Sequence, residues 1–488
     1  MAQRTGIAIG LDLGTSSLKA IAVEIETGRV IERVRQPYPT HRPEQSAAEQ
    51  APRDWMAAVV GALGRLAAAT RAADWVGIAL SAMLPTMVRL DASGEPIGNA
   101  IVWEDNRAEP EARHLREHYP EATAYARTGQ LMDGRYLVPM SARLARLDPA
   151  SAERVARIVG AKDYVFAQLT GELLTDPSTA AGSGVYDLAR GEYATGAWGA
   201  LPTVAAATTL RGLHPGVARL VGTAPGIPVA LGAADSVLGA EALGARPGHD
   251  IAIISGTSTV VLGLRETLAL EPKNRALVTP LARGGYGFEM DLVATGSAFQ
   301  WLAQLTGAAS PAVLLEEAAP ISLIEAPETL PFVGPGEQGA LWDSALRGAF
   351  LGLTLGTTRG ALMRGLITGV ILELRRCVAV LAESPDARIL VAGSSLSSEL
   401  MLQDLADATG LQVAADRSDA DHSALGAVGV LLDGLALPAL PPITTFERFD
   451  PRPDRAVMWA ELAARQETAI ARERERVAGE NAGERETS

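Results

Sequence analysis

Asp12-Leu13-Gly14-Thr15-Ser16-Ser17 ends a run in which Ile7, Ile9 and Leu11 alternate with small residues, and a second run, Leu18 to Ile25, follows it. Alternation at period two marks strands with one buried face, so the segment reads as strand, turn, strand. Gly14 lets the backbone turn closely around an anion. The N–H groups and hydroxyls of Gly14, Thr15, Ser16 and Ser17 can then take phosphate oxygens. Asp12, at the strand end, can hold Mg²⁺ through water, because that ion takes oxygen ligands and keeps much of its hydration. Lys19 can add positive charge. An ordinary hairpin turn has the same local pattern. There is no Gly-x-x-x-x-Gly-Lys-Ser/Thr run, which argues against a P-loop.

The pattern recurs. Ile251-Ala252-Ile253-Ile254 feeds Ser255-Gly256-Thr257-Ser258, and a β-branched run, Thr259 to Leu264, follows. The two turns lie roughly half the chain apart, which predicts two domains on one plan. The expected division is 1–246, 247–440 and a C-terminal piece 441–488, with a boundary near Ala245-Arg246-Pro247-Gly248. Arg29 to Arg35 and Val76 to Ser81 read as strands, Asp54 to Ala69 as a helix, and the mixture as an α/β class. Beyond Pro441-Pro442 and Pro451-Arg452-Pro453 a helix is expected from Asp454 to about Arg476, with a frayed end from Ala478 to Ser488.

Composition narrows the function. The 488 residues carry a net charge of −14, which argues against a nucleic-acid backbone as partner because phosphate tracts need clustered Lys and Arg. Aromatic residues make up only 5%, so Ala, Leu and Val must supply the core. The one cysteine, Cys377, sits in an apolar stretch and reads as a buried structural thiol in a reducing compartment. The N-terminal residues do not read as a signal peptide, and no uninterrupted apolar stretch suits a membrane span. A cytoplasmic location is expected, with a homodimer as the default assembly. His114 and His118 are i, i+4 on a charged helix, Glu109 to Tyr119, and read as surface residues rather than metal ligands.

Three further segments can carry chemistry. In Leu231-Gly232-Ala233-Ala234-Asp235-Ser236 a lone acid stands among small apolar residues. Partial burial would raise its pKa and suit a general base, and a helix cap is the structural alternative. Trp103-Glu104-Asp105-Asn106-Arg107 puts an aromatic beside acids and a cation, which suits a sugar or a solvated turn. Val391-Ala392-Gly393-Ser394-Ser395-Leu396-Ser397-Ser398 ends a strand before a helix, Glu399 to Ala408. It can receive a nucleotide, or simply cap that helix through Ser397 or Ser398.

In this order the segments resemble the FGGY family of carbohydrate kinases, from about Ile7 to Leu437. Lys162-Asp163-Tyr164, Leu169-Thr170-Gly171-Glu172, Thr175-Asp176-Pro177-Ser178, Gly296-Ser297-Ala298-Phe299-Gln300-Trp301-Leu302 and Gly334-Pro335-Gly336-Glu337 complete the match. The resemblance implies two ribonuclease H-like domains of the actin-like ATPase fold around a catalytic cleft. It implies ATP and Mg²⁺ and a small sugar or sugar-acid substrate. Asp235 would be the general base, Asp12 the Mg²⁺ organiser, and Ser16, Ser17 and Lys19 phosphate contacts. Gly256, Thr257, Gly296, Gln300, Gly393, Ser394 and Ser398 would hold the nucleotide, and Met83, Leu84, Pro85, Trp103 and Asp105 the sugar. Xylulokinases carry Gln-Met-His where this chain has Met83-Leu84-Pro85, and Ser394 and Ser395 replace family glycines. Lys162 to Leu188 resembles xylulokinases and implies a ketopentose such as D-xylulose. Ser81-Ala82-Met83 and Trp103 to Arg107 resemble gluconate kinases. A catalytically silent sugar-binding regulator is the reading from another class.

Overall fold

The computed structural model describes residues 6–486 except 45, 197–200, 271, 335–338, 342, 344, 345, 419 and 444, and only the backbone over 478–486. Of the Gly334-Pro335-Gly336-Glu337 motif, 335–337 lie outside the described residues. Two mixed sheets organise the chain. The first contains β1 (Ile7–Leu13), β2 (Ser17–Glu24), β3 (Val30–Pro37), β4 (Trp75–Ala82) and β5 (Pro228–Ala234), in the order β5-β4-β1-β2-β3. The second contains β6 (Asp250–Ser255), β7 (Thr259–Arg265), β8 (Tyr286–Leu292), β9 (Arg388–Gly393) and β10 (Val413–Asp416), in the order β10-β9-β6-β7-β8.

The two plans coincide. β1 is antiparallel to β2 and parallel to β4, and β5 runs parallel to β4. In the same way β6 is antiparallel to β7 and parallel to β9, and β10 runs parallel to β9. The strand–turn–strand echo in the sequence is therefore a repeat of whole sheets, the ribonuclease H-like plan of the actin-like ATPase fold.

Compactness divides the chain into two units. One comprises Met1–Gly244, Arg265–Gly287 and Ala420–Pro442, and the other Ala245–Leu264, Phe288–Asp419 and Ile443–Ser488. This grouping differs from a linear division at 246 and 440. The helices that matter below are α1 (Pro52–Ala69), α2 (Ala161–Thr170), α3 (Pro177–Ala181), α4 (Asp235–Ala242), α5 (Gly296–Leu305), α6 (Arg359–Leu381), α7 (Glu399–Thr409), α8 (His422–Gly434) and α9 (Ala456–Glu486).

Helix α8 explains why a late segment joins the first unit. Its Ala424, Ala427, Val428, Val430 and Leu431 are buried, and small residues let its backbone approach. A Cβ on Gly10 would stand 2.4 Å from the Ala424 carbonyl oxygen, and one on Gly426 would stand 2.2 Å from that of Leu238. On another side, Trp55, Val59, Leu63 and Leu66 of α1 pack in the cluster that holds Ile9, Leu11 and Leu13. The core is mainly aliphatic, as the scarcity of aromatics requires. In the second unit α6 is buried along most of its length, and Cys377 on it is buried with its thiol pushed up to about 12 by desolvation. The last helix runs to Glu486, past the expected end at Arg476. Glu473 and Arg476 pair at i, i+3 in the turn that reaches the expected stop, a spacing that supports helix there.

Close packing at Gly10 has a direct consequence. Gly10→Ala should lower the unfolding free energy by about 1–3 kcal/mol, the cost of overpacking against backbone. Gly64→Ala, mid-helix in α1 with nothing within 4 Å of the added Cβ, should raise it by about 0.5–1 kcal/mol. Urea midpoints of both variants check this, and shifts of the same sign would overturn it.

Candidate active site

The register of the first sheet assembles the site. Asp12 on β1 stands opposite Lys19 on β2 and beside Ser81 on β4. Ser81 Oγ donates to Asp12 Oδ1 at 2.8 Å, and Lys19 Nζ donates to Asp12 Oδ2 at 3.3 Å. The same ammonium lies 2.9 Å from Oδ2 of Asp421. Asp421 caps α8, accepting the Ala424 N–H at 3.0 Å. Sequence reading missed Asp421. Its local signal, an acid before an apolar helical run, predicts only a cap. Nothing local says that it will meet a lysine from the first hairpin.

Burial pushes the Asp12 carboxyl up to about 7. The neighbouring Asp421 and Asp235 add to the rise, against the pull of Lys19 and of the Ser81 hydroxyl. Desolvation opposes charge on Lys19, but Asp12 and Asp421 outweigh it and raise its pKa. The ammonium is therefore fixed as a cation among acids, one of which is near its titration point at neutral pH.

Asp235 arrives by a kink. Gly232 adopts φ +71°, and a Cβ there would fall 1.7 Å from the Leu80 carbonyl oxygen. The β5–β4 ladder is irregular between Ala230 and Ala233. Helix α4 starts at once, with Ala234 as its N-cap, so Asp235 is the first helical residue and not the cap. Its Oδ1 accepts the Ser236 N–H at 2.8 Å. Burial raises the Asp235 pKa, and the Ser236 N–H and Lys19 moderate the rise. A carboxyl of raised basicity at a strand end suits proton abstraction.

The turn after β1 is braced on several sides. Gly14 N donates to Ser17 O at 3.2 Å, and the Tyr38 hydroxyl donates to Gly14 O. Burial raises the Tyr38 pKa, as do Asp12 and Asp235. Arg35 Nε donates to Ser17 Oγ at 3.0 Å, and Trp103 Nε1 to Thr15 Oγ1 at 3.0 Å. Those two hydroxyls are thus already engaged. Ser16 is exposed, and the N–H groups of Thr15 and Ser16 make no hydrogen bond among the described residues.

The expected sugar residues separate into kinds. Met83 is buried, its N–H on Leu13 O at 2.9 Å, and Leu84 and Pro85 are half-buried without polar side-chain atoms. Trp103 is half-buried against the turn. Both oxygens of Asp105 are engaged: Oδ2 accepts the Ala48 N–H at 3.0 Å, and both accept from the Arg107 guanidinium, which also reaches Glu49 at 2.7 Å. Asp105 organises its loop.

In the second unit the counterpart turns meet one another. Gly296 N donates to Gly256 O at 3.2 Å, and Thr295 N and Ser297 N both donate to Thr257 O. A Cβ on Gly296 would lie 2.4 Å from Gly256 O, so the start of α5 seats directly on the turn after β6. Gly393, at φ +101°, lies so close to Ser255 that a Cβ would fall 1.9 Å from its carbonyl oxygen. Ser394 N donates to that oxygen at 2.9 Å. The Thr295 and Ser395 hydroxyls are buried without a partner among the described residues. Ser398 caps α7, accepting Met401 N at 3.3 Å, while Gln300 is exposed. His114 and His118 are exposed, their rings tilted 31° to one another with centroids 3.8 Å apart.

Two sheets of this plan, one with an acid–lysine pair at the end of its first strand and the other with glycine turns, define a phosphotransferase of the actin-like ATPase fold. The chain belongs to the FGGY family of carbohydrate kinases: the family's N-terminal domain matches residues 7–242 and its C-terminal domain residues 251–432. It is a sugar kinase, and kinases of this family use ATP as phosphate donor. It is 26% identical over 452 residues to the gluconokinase of Bacillus subtilis, covering 87% of this chain and 86% of that one. It is 28% identical over 418 residues to the xylulose kinase of Klebsiella pneumoniae, covering 83% and 85%. Among solved structures, the xylulose kinase from Rhodospirillum rubrum matches at TM-score 0.83 and 27% identity over 97% of this chain and 100% of that one. The gluconate kinase from Lactobacillus acidophilus shares the fold, at TM-score 0.86 and 22% identity over 95% and 97%.

Among the described residues, no helix is long and apolar enough to cross a membrane. Nor does any group of three or more His, Cys, Asp and Glu stand ready to hold a metal alone. Mg²⁺ in phosphoryl-transfer sites is bound by one or two carboxylates together with substrate phosphates. Asp12 and Asp421, hard oxygen donors on one ammonium, fit that requirement.

The raised Asp12 pKa fixes a stability trend. Its folded pKa of about 7 lies above the ordinary aspartate value of 3.8. The folded state therefore loses stability as pH rises from the lower value toward the upper, and no more is lost above it. In metal-free and nucleotide-free protein, Asp12→Asn should stabilise most near pH 8, and by less at pH 5.5. Thermal midpoints at the two pH values measure this, and a gain that grows on acidification would contradict the sign.

Proposed function

We propose that the chain transfers the γ-phosphoryl group of ATP to a hydroxyl of a ketopentose, D-xylulose being the first candidate. Asp235 takes the hydroxyl proton, Lys19 neutralises developing charge, and Asp12 holds the metal. The observation that carries this reading is the strand-end kink at Gly232, which presents a carboxyl of raised basicity in the unit that holds the Asp12–Lys19–Asp421 cluster. Phosphoryl transfer demands little covalent chemistry of the protein, so positioning and charge neutralisation suffice. The free N–H groups of Thr15 and Ser16, with the Ser16 hydroxyl, suit the transferred phosphoryl. When bound, Mg²⁺ supplies charge for the phosphate oxygens. The turns at Gly256–Thr257, Gly296 and Gly393–Ser394 suit the nucleotide, because their close packing leaves backbone in place of side chains.

The xylulokinase-like stretch Lys162 to Leu188 and the xylulose kinase relatives favour the ketopentose. A sugar acid is the second reading, favoured by the gluconokinase relative matched over 87% of this chain. Met83, Leu84 and Pro85 offer a sugar little beyond apolar contact, since a proline ring has no N–H.

Asp235→Ala should lower kcat by about a hundredfold or more, the scale of general-base help, with the KM for ATP little changed. Turnover near wild type would remove Asp235 from its role. An ADP-release screen over ketopentoses, aldonates and polyols should give its highest kcat/KM with D-xylulose. A gluconate optimum would move the assignment to sugar acids, and no stimulation by any acceptor would leave the sugar-binding regulator.

A further inference from the structure

We propose that the buried set Lys162, Asp176 and Ser178 positions Asp235, acting through a hydrogen bond to the Ala234 N–H. The inference rests on Asp235 being the base. It gives work to a stretch, Thr175-Asp176-Pro177-Ser178, that the reaction does not otherwise use.

The set lies wholly inside the first unit. Lys162 and Asp163 stand in the first turn of α2, and Asp176 caps α3. The side chains of Lys162, Asp163 and Asp176 are 1%, 2% and 1% exposed. Lys162 Nζ lies 3.1 Å from Asp176 Oδ1 and 3.3 Å from Asp163 Oδ1. Asp163 Oδ2 accepts the Gly160 N–H at 2.9 Å. Asp176 Oδ1 accepts the Thr179 hydroxyl at 2.6 Å, and Oδ2 accepts both the N–H and the hydroxyl of Ser178. The one hydroxyl proton of Ser178 is thereby committed to Asp176. Its oxygen is left as an acceptor, and it takes the Ala234 N–H at 2.8 Å. Ala234 is the last residue of β5, beyond its kink, and directly precedes Asp235.

Stability alone does not account for this arrangement. Replacing a buried ion pair by apolar groups of similar volume is often neutral or stabilising. What a cation between two carboxylates does supply is direction. It holds Asp176, Asp176 orients one hydroxyl, and that hydroxyl fixes the backbone from which the base projects. The base needs such a fixture, because misplacement by about 1 Å can cost a factor of about a hundred in rate. Beyond the Gly232 kink the β5–β4 ladder resumes over only two residues, Ala233 and Ala234, before α4 begins, so little regular pairing holds this backbone.

Ser178 is the variable to test, since Asp176 also caps a helix and Lys162 neutralises two acids. Steady-state kinetics of the full chain with MgATP and the fastest acceptor are measured for Ser178→Ala, Asp235→Ala and the double variant. Ser178→Ala should lower kcat about tenfold or more with the KM for ATP within about twofold, and Ser178→Thr, which keeps the hydroxyl, should recover most of it. In the Asp235→Ala background Ser178→Ala should change kcat by less than about twofold, because residues acting as a unit are non-additive. Ser178→Cys, a weaker acceptor of similar volume, runs the same cycle if the alanine variant unfolds. Full additivity, or wild-type kcat in Ser178→Ala with Asp235→Ala slow, overturns the proposal alone. Wild-type turnover in Asp235→Ala removes the base assignment and this proposal together.

Discussion

One ammonium group holds the site of the first unit together. Lys19 Nζ contacts Asp12 at 3.3 Å and Asp421 at 2.9 Å, and it also moderates the raised pKa of Asp235. Without that cation, several carboxylates would be drawn into a desolvated region with nothing to offset their repulsion, and protonation would follow. The lysine is half-exposed and the acids are mostly buried, so the cluster has a wet side and a dry side. This suits a reaction in which phosphate oxygens must approach from solvent.

The second constraint is steric. Acids from three strands or helix starts converge only because backbone passes close to backbone. Gly10 admits α8, whose cap supplies Asp421, and Gly232 allows the turn that delivers Asp235. In the second unit Gly296 and Gly393 do the same for loops without acids. The two sheets share a plan but differ in chemistry. One carries a carboxylate, Asp12, as the penultimate residue of its first strand, and the other ends in Ser255, whose hydroxyl accepts the Leu396 N–H at 3.1 Å and donates to Ala392 O at 3.2 Å. The repeat is a scaffold on which different residues were placed.

Much of this was legible along the chain. The strand–turn–strand at Asp12 to Ser17 and its echo at Ser255 to Ser258 pointed to two similar sheets, because alternation and a glycine turn are local properties. Asp235 stood out as an acid among small residues. Lys162-Asp163 and Thr175-Asp176-Pro177-Ser178 were visible as motifs, but their joint burial was not, since each is compatible with a solvated helix start. Asp105, expected at a sugar, is occupied by Arg107, two residues on, and by the Ala48 N–H, a contact between distant stretches that no local pattern predicts.

The sequence by itself determined the period of the strands, the positions of the tight turns and the chemical identity of the acids. These follow from residue type and from spacing of a few residues. Only the tertiary structure decided which acids share a cation, where Asp421 belongs and which hydroxyls remain free. Those outcomes depend on sheet register and on helix-to-sheet distances set by packing. The pairing of Lys19 with Asp421 joins opposite ends of the chain, and it exists because α8 lies on β1 where Gly10 leaves room for it.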